Sequence, residues 1–246
     1  MAAVRAHWGA VAMTLRWSPE WPFAVAVALA WIVVLAAPDG HGVHAPPGHE
    51  HHGHPHGSVL AALPGWALMS VAMMVPVALP AVRHVGMNSI RGRRYRAMAV
   101  YASVYVAIWV GFGLAAIAAY RLIRASFALD DRATLTLVLG LAAAWQLTRA
   151  KRRAVLSCKR TVALPPVGWR ADRGCARFAV AQATRCLRSC WALMVVMTVV
   201  GHASLVWMAG ITVLIAIEEM TLAGRRLLAP FGAVLGAAAL AVAAGV

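Results

Sequence analysis

Cys186, Cys190 and Met194 follow one another at four-residue intervals in the stretch CLRSCWALMVVM. In a helix that spacing lays three sulfur atoms along one stripe, with Met197 slightly rotated from it. Thiolate and thioether sulfur suits Cu(I), whereas zinc more usually adds histidine or further thiolates. A second sulfur group stands in GWALMSVAMMVPVALP, where Met69 and Met73 share a face and Met74 adjoins them. Pro76 and Pro80 follow, each removing a backbone donor and freeing a carbonyl, so a kink is expected there. Freed carbonyls at membrane depth need partners, which directs this face inward or onto a cavity. Methionine also fills gaps and cysteine behaves as a small hydrophobe, so packing accounts for any one of these residues taken singly. Glu218 and Glu219 are different, because a carboxylate within an apolar segment is costly and normally has a task or a partner. Arg225 and Arg226 follow closely enough to be that partner. The expected intramembrane metal set is Met69, Met73, Met74, Cys186, Cys190, Met194 and Glu218, with Glu218 supplying charge compensation or a proton-coupled ligand.

A second chemistry lies upstream, in HGVHAPPGHEHHGHPHG. It holds His41, His44, His49, His51, His52, His54 and His56, seven of the ten histidines, with Glu50 as its one acid. Glycine and proline keep such a tract without a packed structure, and neutral imidazole suits zinc, copper and nickel. It would capture metal loosely through overlapping ligand sets; the plainer reading is a polar linker with incidental affinity. His84 and His202 stand alone near loops, where solvation or a hydrogen bond is the ordinary role. Cys158 and Cys175 lie 17 residues apart without a CxxC and form no recognisable zinc motif.

The elements that must position these residues are apolar helices. Of 246 residues, 62% are apolar and 13% charged, against about 45–50% and about 25% in soluble domains. That excludes an ordinary cytosolic enzyme and a disordered chain. A net charge of +15 would suggest nucleic acid, but the cations sit in short clusters between apolar runs, so a bilayer explains them without a nucleic-acid partner. Candidate passes run over 22–37, 59–82, 97–120 and 133–148. The apolar run 188–220 is too long for one crossing and reads as a tight hairpin turning near Gly201, His202 and Ser204; 227–246 is the last pass. The expected fold is an all-α transmembrane bundle of about seven helices, the fifth and sixth forming the hairpin. It divides into 1–58, an N-terminal helix and histidine-rich outer loop, and 59–246, the bundle. With the N-terminus in the cytoplasm, 20 of the 23 lysines and arginines fall inside and only Arg121, Arg124 and Arg132 outside. The first helix is expected to stay uncleaved, because Arg5 and Arg16 lie far from its apolar stretch and Pro38 follows Ala37. Gly232 and Gly236 form a GxxxG close-packing signal in the last helix.

Three blocks, GWALMSVAMMVPVALP, AAAWQLTRAKRRAVLSCKR and CLRSCWALMVVMTVVGHASLVWMAGITVLIAIEE, resemble a family of predicted metal-binding integral membrane proteins, a domain of unknown function sometimes labelled a copper chaperone. The resemblance covers roughly 64–219. The pattern falls on Trp66, Met69, Met73, Met74, Pro76 and Pro80, then on Gln146, Thr148, Lys151 and Cys158. In the third block it falls on Cys186, Cys190, Trp191, Met194, Trp207, Met208 and Glu218. Ser189 and Ala154 stand where the family tends to have cysteine, His202 where it has methionine, and Glu219 where it has lysine. The resemblance implies a helical membrane protein with copper as its metal and no established reaction.

Together these observations predict a multi-pass protein of the bacterial inner membrane or plasma membrane that handles copper by transport, storage or chaperone-like transfer. Zinc or nickel remain open at the histidine loop. Its partners would be lipid, the metal ion and a metallochaperone or other protein. No P-loop, nucleophile–base pair or paired intramembrane histidine is present, so an enzyme is not expected. The alternative is a scaffold subunit whose basic loop over 149–188 docks a cytosolic partner or anionic lipid, with the sulfur residues as packing.

Overall fold

The computed structural model describes residues 18–36, 59–127, 130–165, 167–200, 204–221 and 224–245. The fold of these residues is all-α, without a strand. Helix α1 covers Trp21–Ala36, α2 Leu63–Met87, α3 Arg94–Phe127 and α4 Asp131–Leu147. The short α5 covers Arg149–Cys158, followed by α6 over Trp169–Val200, α7 over Leu205–Met220 and α8 over Gly224–Ala244.

Four stretches, Leu60–Met87, Arg91–Phe127, Trp169–Val200 and Arg226–Ala244, are long and apolar enough to cross a membrane. The expected seven passes are not established on that measure. Helices α1, α4 and α7 hold 16, 17 and 16 residues, about 24–26 Å of rise against a hydrocarbon core of about 30 Å. The basic segment after Arg149, expected as a loop, is largely helical. Thr148 is extended, ending α4, and its hydroxyl accepts from the Lys151 backbone N–H at 3.1 Å, which starts α5 immediately. Helix α6 begins at Trp169, well ahead of the expected Arg188, because Ala171, Cys175, Phe178, Ala179 and Gln182 make a buried helical stripe between exposed arginines.

Helix α3 packs against both α2 and α6, and α7 packs against the same two. Helices α2 and α6 therefore lie diagonally across a four-helix core. Outside it, α1 packs on α2, α5 on α6, and α4 on both α6 and α8. Trp31 Nε1 donates to the Ala72 carbonyl at 3.0 Å, docking α1. Trp66 Nε1 donates to the Trp109 carbonyl at 2.9 Å across the α2–α3 contact. That approach requires Gly113, since a Cβ there would come within 2.0 Å of the indole nitrogen. The GxxxG of α8 is used inside the chain: a Cβ at Gly232 would lie 3.1 Å from Leu147 Cδ2 and 3.3 Å from the Ala143 carbonyl on α4.

Helix direction separates two ends. At one, Arg93 and Arg96 pair with Asp172, Arg83 lies 3.6 Å from Glu20, and His84 Nε2 donates to the Val162 carbonyl at 2.9 Å. At the other, Arg124 pairs with Asp131. The cations of the α2–α3 turn, α5 and the start of α6 thus gather at one end of the bundle.

Candidate functional site

Met69, Met73, Met74, Cys186, Cys190 and Met194 belong to one contiguous buried core, each 2% exposed or less. Met197 and Met208 join them. The two sulfur rows sit on the diagonal helices α2 and α6, which run in opposite directions. Each four-residue step advances about 6 Å along an axis. From the cationic end, α6 presents Cys186, Cys190 and Met194 in order, while α2 presents Met74 and Met73, then Met69. Helix α2 runs unbroken through Pro76 and Pro80.

Beside these rows lies a buried polar network. Lys151 Nζ is 2.5 Å from Glu218 Oε2, and neither side chain is exposed. The same ammonium donates to the Ser189 carbonyl at 2.8 Å, and Gln146 Nε2 donates to Glu218 Oε1 at 2.5 Å. Both Glu218 oxygens are thereby engaged, with its charged partner coming from α5, while Arg226 is exposed. Burial pushes the Lys151 ammonium toward neutrality, but Cys190 and Glu218 beside it outweigh that and hold its pKa above the usual lysine range. Glu219 accepts from the Ser189 hydroxyl, and the Cys190 thiol lies 3.8 Å from the same oxygen. Cys158 lies in the field of Glu219 as well, and burial, with the charge of Glu219, pushes its thiol pKa upward. Tyr105 on α3 donates its hydroxyl to Cys186 Sγ at 3.2 Å, fixing where that sulfur sits.

A cavity of about 310 Å³ opens among α2, α3, α6 and α7 at the cationic end. Cys186, Tyr105 and Ala78 form its buried floor, Cys158 and Glu219 its wall, and exposed Lys159, Arg160 and Met220 its rim. The cavity therefore reaches the first member of the α6 sulfur row.

Among the described residues, no group of three or more histidines, cysteines or acids is arranged to hold a metal. A site here would depend on thioether sulfur joined to one or two thiolates, a donor set suited to Cu(I) and poor for zinc. The buried residues fit that soft ion by donor chemistry. His41, His44, His49, His51, His52, His54 and His56 lie outside the described residues, as does His202.

Lys151, Gln146, Ser189, Tyr105 and Cys158 stand beside the sulfur rows and were not among the candidate ligands, although Gln146, Lys151 and Cys158 fell on the family pattern. Lys151 stands in a run of cations that reads as solvated surface. Its neighbours carried a signal nonetheless: positions 151, 154, 155 and 158 form one helical face, and the first three are buried. The links from Gln146 and Lys151 to Glu218 cross 72 and 67 residues and leave no local trace.

A family model described as PpoB2, copper chaperone, matches residues 63–242. No curated protein matches the chain. No solved structure matches it.

Proposed function

This chain belongs to the PpoB2 copper-chaperone family, and from that premise we propose that it is a membrane-embedded Cu(I) carrier. One observation carries the reading: methionines of α2 and the Cys186–Cys190–Met194 row of α6 share a single buried core above a cavity that reaches Cys186. Met69, Met73, Met74, Cys190 and Met194 would hold the ion, and Cys186 would receive it. Glu218, neutralised by Lys151, would keep the carboxylate charge balanced beside the thiolates. The histidine tract would collect metal on the opposite side, with copper, zinc or nickel as its cargo.

The cationic end faces the cytoplasm in this reading, on the positive-inside rule, with the N-terminus there too. Helices α1, α4 and α7 complete seven crossings by leaning on the four longer helices, and the protein sits in a cell membrane. Copper is cargo to be stored, moved or passed to a protein partner, and no reaction is assigned to the chain.

The test is metal content of the purified protein after exposure to Cu(I), zinc and nickel. It includes a deletion of 41–56 and the pair Cys186→Ser with Cys190→Ser. Cu(I) retained after the deletion but lost with the cysteines supports the reading. Metal lost wholly with the histidine tract leaves the bundle as a scaffold and refutes it.

A further inference from the structure

The cavity at the cationic end bears on the form in which copper arrives, an extension that rests on the copper reading above. Gln182 lines this cavity and is 9% exposed. Its Nε2 donates to the Cys158 carbonyl at 2.7 Å, while its buried Oε1 accepts from no group among the described residues. A buried amide oxygen left without a donor costs about 1–3 kcal/mol, so a ligand that brings an N–H there relieves the cost. Glu219, 7% exposed, lines the same space and adds a carboxylate acceptor. The inner part of the cavity is therefore suited to an ammonium or amide group.

The rim has the opposite character. Lys159 and Arg160 are exposed there; Lys159 Nζ reaches the Thr221 carbonyl at 2.7 Å, and Arg185 donates to the Arg160 carbonyl at 3.3 Å. Two cations side by side on one rim suit a carboxylate. The thiols of Cys158 and Cys186 line the same cavity. At about 310 Å³ the space is that of a small-molecule pocket, commonly about 300–1,000 Å³.

We propose that this cavity docks a low-molecular-weight anionic thiol, a short peptide with a free amino group and carboxylates, carrying Cu(I). Copper then passes to the bundle by ligand exchange at Cys186. The bond between copper and the carrier sulfur breaks as a bond from copper to Cys186 Sγ forms. The Cys186 proton goes to the departing carrier sulfur, which leaves as a neutral thiol. Copper remains Cu(I) throughout, so neither oxidant nor reductant is consumed. From Cys186 the next sulfurs are Cys190 and Met194, one and two turns deeper.

The experiment supplies Cu(I) to the purified full-length protein in three forms: as its glutathione complex, as its mercaptoethanol complex and as its acetonitrile complex. Loading is followed by rapid mixing. The glutathione complex is expected to load about tenfold faster than the mercaptoethanol complex, as charge steering allows. Copper-free glutathione should compete. In Lys159→Glu with Arg160→Glu, the glutathione-to-acetonitrile rate ratio should fall to near unity, and Gln182→Leu should lower it in part. Equal rates from all three forms, or a glutathione advantage that survives charge reversal, overturns docking in this cavity while leaving the copper reading intact. Failure to load from any form overturns the copper reading itself.

Discussion

Lys151 on α5 and Glu218 on α7 form an ion pair 2.5 Å apart from which solvent is excluded. The pair ties a helix outside the four-helix core to the helix that closes it. Removing one partner of a buried pair strands the other charge and typically costs about 3–5 kcal/mol, whereas replacing both can be neutral. Lys151→Met should therefore lower the unfolding temperature in detergent sharply. Lys151→Met with Glu218→Leu should recover most of the loss. A single variant as stable as the parent would show that the pair does not hold α5 in place.

Alkaline stability follows from the two shifted groups on α5. Lys151 has a raised folded pKa. Its contribution is full below the unfolded lysine value of about 10.4 and is lost as pH rises through the folded value. Cys158 is an acid with a raised folded pKa, so the unfolded state sheds its proton first and stability falls from about pH 8.5 upward. Unfolding temperatures from pH 7 to 11 should therefore decline in two windows. Cys158→Ala should soften the lower one and Lys151→Met with Glu218→Leu the upper.

Trp66 and Gly113 test the α2–α3 contact that carries the methionine row. A Cβ at Gly113 would overlap the Trp66 indole, a rigid group whose N–H is committed to the Trp109 carbonyl. Gly113→Ala should destabilise by about 1–3 kcal/mol through overpacking and alter the tryptophan emission of the folded protein. Gly111→Ala, with open space around its Cβ position, is the control and should do neither.

The helices and their sulfur rows were legible because both are written in local periodicity. The i, i+4 spacing of Cys186, Cys190 and Met194 needs only a helix to become a stripe. The helices were legible as apolar runs, four of them long enough to cross a membrane, although the start of α6 was not, because its buried stripe is interleaved with Arg170, Arg173 and Arg177. Lys151 fell on the family pattern, but its burial and its pairing were hidden for the same reason: a cation among cations looks solvated until a distant carboxylate is brought beside it. Glu218 stood out as an acid in an apolar helix, but its partner was sought among nearby arginines, whereas the chain brings it from 67 residues away. Non-local pairing of this kind depends on how helices pack and leaves no spacing to read.

Met73 and Met194 separate ligation from packing. Leu replaces Met in a core at a cost usually below about 1.5 kcal/mol, because volume and apolarity are kept while the sulfur is lost. Both side chains are fully buried, so Met73→Leu and Met194→Leu should leave the unfolding temperature of the metal-free protein nearly unchanged. If the thioethers bind Cu(I), each variant should weaken its affinity by about tenfold, equivalent to about 1.4 kcal/mol, in competition against a chromogenic Cu(I) chelator. Zinc uptake should not change, since thioether sulfur contributes little to a zinc site. Copper stabilisation of the folded protein should shrink in parallel, because a ligand that binds only the native state raises stability according to its affinity. Unaltered Cu(I) affinity in both variants would assign Met73 and Met194 to packing and leave the thiols of α6, with Met69 and Met74, as the soft donors to test next.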